Sequence, residues 1–267
     1  MAGMLVSDRD TPGAFLVRVD GADQSFVDPE DPTRLEFDYA QRIGDVIDTM
    51  RPPGERIRVV HVGGGGMTLA RYVAATRPTS AQIVLEPDAQ LTAQVRARLP
   101  LPRQSGIKVR PVDGRTGLAA LPDDYADLVV LDAFAGARVP AELTTSQWWG
   151  EVSRVLVRGG TVTANITDRV PFWYAKRVTA GIADRFQPVV CAAEPATLKG
   201  HRFGNLVVSA GGGIDHARLE RLARQAVFPY RVMGGLHLAR WVGHAPAFTD
   251  DDAEQSPPPP GGPTTFR

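Results

Sequence analysis

Apolar positions along the chain follow two alternating periods. Short aliphatic or β-branched runs at 57–62, 81–85, 107–111, 128–131, 161–166, 189–193 and 205–209 read as strands. Segments with helical spacing separate most of them. Leu69, Tyr72 and Val73 share one face of 69–75, and Leu91, Val95 and Leu99 stand four apart in 88–99. Trp148 and Val152 turn inward from 145–157, a helix that Gly159-Gly160 is expected to close. Further helices are expected over 116–121, 171–186 and 216–226. The alternation predicts an α/β fold with a doubly wound, mainly parallel sheet of seven strands. Its last two strands lack a helix between them and should form an edge hairpin.

A different pattern precedes this alternation. Apolar residues cluster at 14–19 and 23–27 around Asp20-Gly21, a hairpin signal. A proline- and acid-rich loop follows. Helical spacing then runs over 35–50 and stops at Pro52-Pro53-Gly54. The expected organisation is a disordered N-terminus (1–12), a small hairpin-plus-helix region (13–54), a ligand-binding domain (55–247) and a disordered tail (248–267). The tail reading rests on Asp250-Asp251-Asp252, the four prolines from Pro257 and Gly261-Gly262.

Composition narrows the classes. At 43% hydrophobic residues the chain can bury a sizeable core. Thirty Lys plus Arg balance thirty Asp plus Glu, which argues against general attraction to nucleic acid or an acidic membrane. Cys191 is the single cysteine, so neither an intrachain disulfide nor a thiolate metal cluster can form. The start lacks a basic segment followed by an apolar core, and no apolar run approaches the roughly 20 residues of a membrane span. A cytoplasmic location is the resulting expectation. His201, His216, His237 and His244 show no metal-ligand spacing, and no metal is expected. His61, inside a strand, is expected to be a satisfied core histidine.

The first strand runs directly into Gly63-Gly64-Gly65-Gly66, and a helix begins at once. Strand, glycine turn and helix bring bare backbone N–H groups against a nucleotide-like ligand. Glu86 ends the second strand, 20 residues past Gly66, where a carboxylate can accept both hydroxyls of a ribose. The alternative is a tight turn with Glu86 merely solvated. Asp113 follows the third strand and could bond an adenine amine or cap the next helix. Asp132 ends the fourth strand and could serve as a base, bind a cation or cap a loop. Three acids at three successive strand ends describe an acidic rim around a nucleoside. One of the two rings of Trp148-Trp149 should pack in the core, leaving the other free to line the pocket. Arg115, Arg138 and Arg202 read as loop charges, and Cys191 as a buried small side chain. No serine-hydrolase elbow, Walker lysine or zinc-protease pattern is present.

From Leu16 to Ser209 the chain resembles the spermidine synthase (polyamine aminopropyltransferase) family and its spermidine-synthase-like relatives, which share the Rossmann-like methyltransferase fold. Residues 17–25 look like that family's leucine-aspartate-glycine hairpin, and Gln24 stands for its ligand-touching glutamine. Tyr39 stands for the tyrosine of the family's tyrosine-histidine-glutamate motif. Gly63, Gly64 and Gly65 match the start of the glycine loop, and Glu86 matches the ribose-binding acid. Asp113-Gly114-Arg115 matches the segment whose aspartate sits beside adenine, and Leu131-Asp132 the start of the catalytic loop. Arg158-Gly159-Gly160 resembles the proline-glycine-glycine before the fifth strand. The resemblance therefore implies that Gln24, Gly63, Gly64, Gly65, Glu86, Asp113 and Gly114 bind the nucleoside and that Asp132 is catalytic.

The departures fall on one side of this site. Gly66 stands where the family's loop carries aspartate, and Ala135 where the second catalytic-loop aspartate should be. Ala40 and Gln41 replace the histidine and glutamate after the tyrosine. A diamine is dicationic and needs fixed carboxylates, and its attacking amine needs a base. Methyl transfer asks less of the protein, since alignment supplies much of the acceleration. The leading expectation is a transferase using S-adenosylmethionine on an unknown small-molecule acceptor. The alternatives are a genuine aminopropyltransferase using decarboxylated S-adenosylmethionine, with Asp132 as its remaining carboxylate, and a catalytically inactive nucleoside-binding module. A homo-oligomer is an expectation carried over from the family.

Overall fold

The computed structural model describes residues 4–19 and 21–262. Strands β1 (Met4–Ser7), β2 (Phe15–Val19) and β3 (Ala22–Val27) form an antiparallel sheet in that order. The expected hairpin is β2–β3, with Phe15 opposite Val27 and Leu16 opposite Phe26. Asp20, at its turn, lies outside the described residues. The expected disorder of 1–12 is corrected for 4–12. Met4 to Ser7 pair with Arg18 to Phe15, because the outer edge of β2 needs hydrogen-bond partners and a short apolar run supplies them. Residues 1–3 lie outside the described set.

Helix α1 (Asp38–Met50) leads to the main alternation. This runs β4 (Arg58–Val62), α2 (Thr68–Thr76), β5 (Ala81–Leu85), α3 (Ala89–Arg98), β6 (Ile107–Arg110), α4 (Gly114–Ala119), β7 (Ala126–Leu131), α5 (Ser146–Val155) and β8 (Leu156–Asp168). It continues with α6 (Trp173–Ala183), β9 (Val189–Ala193), α7 (Pro195–Leu198), β10 (Gly204–Gly211), α8 (His216–Gln225), β11 (Arg231–Gly234) and α9 (Gly235–Val242). The large sheet has the order β11-β9-β10-β8-β7-β4-β5-β6. Its ladders are parallel from β6 to β8. Strand β10 is antiparallel to both β8 and β9, so the two late strands pair as expected, but α7 lies between them and β11, not their hairpin, forms the sheet edge.

Two expectations about this sheet change. Among the described residues it has eight strands rather than seven, because Arg231 to Gly234 pair with β9 and extend the edge. That stretch is too short to carry a period of its own. Gly159 and Gly160 do not close α5, which ends at Val155. They lie in a bulge of β8, between the pairs Ala126–Leu156 and Leu128–Thr161, with Gly159 at φ +80°.

Alternation along the central strands sends side chains to opposite faces. Val60, Val62, Val129, Leu131 and Val162 pack with Trp148, Trp149, Val152 and Val178 from α5 and α6. Val59, Leu128 and Val130 pack with Ile43, Ile47, Leu69 and Val73 from α1 and α2. Each such side chain contributes about 1.5–3 kcal/mol when fully buried. Both tryptophans are completely buried, since α5 is covered on two sides, so neither ring lines a ligand pocket. No helix among the described residues is long and apolar enough to cross a membrane.

The expected disorder of 248–267 is corrected for 248–262. Phe248 is buried beside Tyr174, and the Arg177 guanidinium lies 3.8 Å from the centre of its ring. Asp250 pairs with Arg115 at 2.7 Å, and Asp252 pairs with Arg177. One aromatic anchor and two ion pairs hold a segment whose composition alone suggests none. Residues 263–267 lie outside the described set.

Candidate functional site

The carboxyl ends of β4, β5, β6 and β7 form one rim, where an open α/β sheet exposes loops rather than paired backbone. The glycine loop leaves β4 there. Gly63 and Gly65 have φ of +95° and +47°, which glycine adopts without strain. A Cβ on Gly63 would run into the Asp132 carbonyl oxygen, so the loop lies directly against the end of β7. On Gly64 a Cβ would meet the Glu86 Cβ at 3.0 Å.

Glu86 is turned onto this loop and is 8% exposed. Its Oε2 accepts the Gly64 and Gly65 N–H groups at 2.8 and 3.2 Å, and Oε1 accepts that of Asp88 at 2.9 Å. A carboxylate offers about four lone-pair sites, so three backbone bonds leave room for a further donor.

Asp113 is exposed at the start of α4, and its Oδ1 accepts the Thr116 N–H at 2.9 Å. That bond holds its carboxyl below the ordinary range. The helix-capping reading is thus realised, in a geometry that contributes about 1 kcal/mol. Gly114 packs against Val62 and Leu143, which brings the α4 N-terminus close to the glycine loop.

Asp132 lies deeper. Asn165 of β8 donates Nδ2–H to its Oδ1 at 2.9 Å, and the Tyr39 phenol lies beside it. Burial pushes the carboxyl up to about 6, although these two neighbours pull the other way. Burial and the nearby Asp132 and Asp38 charges hold the Tyr39 phenol well above its usual range, so it stays a donor. The Gln24 carbonyl accepts from the same hydroxyl at 3.2 Å. His61 is a satisfied core histidine: its Nε2 meets Gln82 Oε1 at 2.8 Å, and burial depresses its pKa to about 4. Cys191 is buried, and its thiol is pushed up to about 12.

Sequence reasoning overlooked three residues that shape the site. Ser25 Oγ accepts the Gly66 N–H at 3.0 Å and clamps the loop to β3. Asn165 orients Asp132, and its position beside the end of β7 could have been found by the same strand-end rule that found Asp132. Ser256 is wholly buried, and its Oγ accepts the Val139 N–H at 2.9 Å and meets Thr167 Oγ1 at 3.1 Å. Arg138 donates to the Ser256 carbonyl, so the tail pins the loop that follows Asp132. No local signal marks that contact.

The loop arginines are not simply solvated. Arg115 holds the tail through Asp250, and Arg202 pairs with Glu194. Gly66 is constrained by space rather than by backbone angle. A Cβ there would meet Val27 Cγ2 at 2.7 Å, Val17 Cγ2 at 3.0 Å and Ser25 Cβ at 3.1 Å.

No protein-family model matches the chain. A polyamine aminopropyltransferase from Vibrio vulnificus is 27% identical over 143 residues, which span 52% of this chain and 46% of that protein. The match therefore covers about half the length of that relative. The crystal structure of a probable spermidine synthase from Corynebacterium glutamicum superposes with a TM-score of 0.86 at 28% identity, covering 93% of this chain and 92% of that one. Human methyltransferase-like protein 13, solved in complex with SAH, superposes with a TM-score of 0.59 at 16% identity, over 80% of this chain and 96% of that one. That last likeness is one of fold.

Proposed function

We propose that this chain, a spermidine-synthase-like protein with the Rossmann-like methyltransferase fold, is a transferase that binds S-adenosylmethionine and lacks the full polyamine site. The packing at Gly66 carries the reading. Where the polyamine family's loop holds an acid, Val17, Ser25 and Val27 fill the space. The position of the second catalytic-loop acid is Ala135.

The donor side keeps its parts. The glycine loop at Gly63, Gly64 and Gly65, packed too closely on Asp132, Glu86 and Ser25 to admit a Cβ, and the carboxylate of Glu86 form a strand-end rim that fits an adenosyl group. Glu86 would accept a ribose hydroxyl, with Asp113, Gly114 and Gln24 flanking the ligand. When bound, S-adenosylmethionine supplies an electrophilic methyl on a sulfonium. Asp132 takes the proton that the acceptor loses. A carboxyl raised to about 6 is mostly ionised at neutral pH and is a stronger base than an ordinary aspartate. Asn165 and Tyr39 hold it in place.

Aminopropyl transfer from decarboxylated S-adenosylmethionine is the second reading. It is favoured by the likeness to the probable spermidine synthase, which extends over nearly the whole of both chains. Calorimetry with S-adenosylmethionine, its decarboxylated form and methylthioadenosine, followed by turnover with putrescine, separates the two. Tight binding of S-adenosylmethionine without spermidine formation is expected. Spermidine production at an enzyme-like rate would sink the first reading. Binding of none of the three leaves an inactive module.

A further inference from the structure

We infer that the large cleft beside Asp132 takes an uncharged, hydroxylated aromatic acceptor rather than a diamine. The inference rests on the transferase reading above and names the acceptor class for the same site. The cleft measures about 710 Å³, and the rings of Phe37, Tyr39, Phe134 and Phe228 form part of its wall. Phe228 is 55% exposed, an aromatic side chain left open to solvent at the cleft. Flat apolar surface of this kind suits another ring, which can stack or meet it edge-on.

Each carboxylate on the wall has an arginine partner. Those carboxylates are Asp23, Glu36, Asp38 and Glu194. Arg18 lies 2.7 Å from Asp23, Arg34 3.0 Å from Glu36 and Arg42 2.5 Å from Asp38, while Arg202 pairs with Glu194. Four acids meet four arginines. A diamine brings two ammonium groups, each costly to desolvate unless it finds a carboxylate. Here each of those four already has an arginine, so Asp132 alone is left for two ammonium groups.

The carboxylate without an arginine is Asp132, and the residues that hold it, Tyr39 and Asn165, line the cleft. Asn165 spends its amide N–H on Asp132, and its buried Oδ1 has no hydrogen-bond partner. The inner wall therefore has one unmatched acceptor, Asn165 Oδ1, next to Asp132, and a donor that carries no formal charge, a hydroxyl, matches it. As the acceptor reacts, its oxygen would form a bond to the donor's methyl carbon, the methyl–sulfur bond would break with its electron pair going to sulfur to leave S-adenosylhomocysteine, and the O–H proton would pass to the Asp132 carboxylate.

The test is calorimetry on the full chain saturated with S-adenosylhomocysteine, using 2-naphthol, naphthalene and putrescine as probes. We expect 2-naphthol to bind at least about tenfold more tightly than putrescine and about fivefold more tightly than naphthalene. Phe228→Ala, at an exposed position, should weaken 2-naphthol about fivefold and leave S-adenosylhomocysteine affinity unchanged. Putrescine binding as tightly as 2-naphthol overturns the inference. So does the absence of 2-naphthol binding in a protein that does bind S-adenosylhomocysteine. An unaltered 2-naphthol affinity in Phe228→Ala also overturns it. Failure to bind S-adenosylhomocysteine overturns the donor reading instead, and this inference falls with it.

Discussion

The glycine-loop rim, proposed as the donor side, and the aromatic cleft, proposed as the acceptor side, flank Asp132 but are assembled in different ways. The rim is local: Gly64 and Glu86, which bond each other, are 22 residues apart and belong to one strand–helix–strand unit. The cleft is pieced together from distant parts of the chain. Asn165 reaches Asp132 across 33 residues, and Ser256 seats Val139 across 117. A ligand held by backbone can keep its cradle while the opposite wall is rebuilt residue by residue. In this chain that wall carries the rings of Phe37, Tyr39, Phe134 and Phe228 beside carboxylates that have arginine partners.

The largest expected effect comes from forcing the two regions back towards the polyamine pattern. Gly66→Asp places a side chain where Val17, Ser25 and Val27 already touch, and buries a charge there. It should destabilise the fold by about 3–5 kcal/mol, read by urea unfolding, without creating putrescine affinity. A stable variant that binds putrescine would erase the contrast drawn here. Glu86→Ala removes the acceptor that also braces the glycine loop. S-adenosylmethionine affinity should fall about 10–100-fold, and an unchanged affinity would move the ribose site elsewhere.

Ser256→Ala tests the cleft side alone. It leaves the buried Val139 N–H without its hydroxyl partner and should cost about 1–2 kcal/mol in thermal or urea unfolding. It should also weaken 2-naphthol while sparing S-adenosylhomocysteine. Equal weakening of both ligands would mean that the two regions are not separable.

The smallest effect concerns pH. The Asp132 carboxyl titrates at about 6 when folded, against 3.8 for the unperturbed group. The folded state therefore holds this proton more tightly than the unfolded state does. This group's contribution to stability should fall as pH rises from about 4 to 6, and stay low above that. Asp132→Asn should remove that dependence, making the variant about 1–2 kcal/mol more stable than the parent at pH 8 and no more stable at pH 4. A parent–variant difference that does not change with pH would show that the Asp132 carboxyl is not raised in the folded state.

Much of the rim was legible in the residues themselves. Apolar runs locate buried strands, glycines after a strand mark bare backbone, and an acid at a strand end is placed on the rim by topology alone. Asp113 was legible only as a pair of alternatives, and its bond to Thr116 realises the cap. The tail was misread because proline and acid content describes its average character. A single Phe248 and two arginine partners decide its fate. The strand at Arg231 to Gly234 was invisible for a related reason: four residues hold no period, and the edge of β9 recruits them.

The sequence by itself determined the strand–helix alternation, the glycine cradle and the acids beside it, because each depends on neighbours within one supersecondary unit. Tertiary packing alone decided that the seat beside Gly66 is full, that Asn165 and Tyr39 hold Asp132, and that the tail closes over its loop. Those contacts join residues whose local patterns carry no information about one another. Their outcome depends on which side chains fill the same space once the sheet has formed.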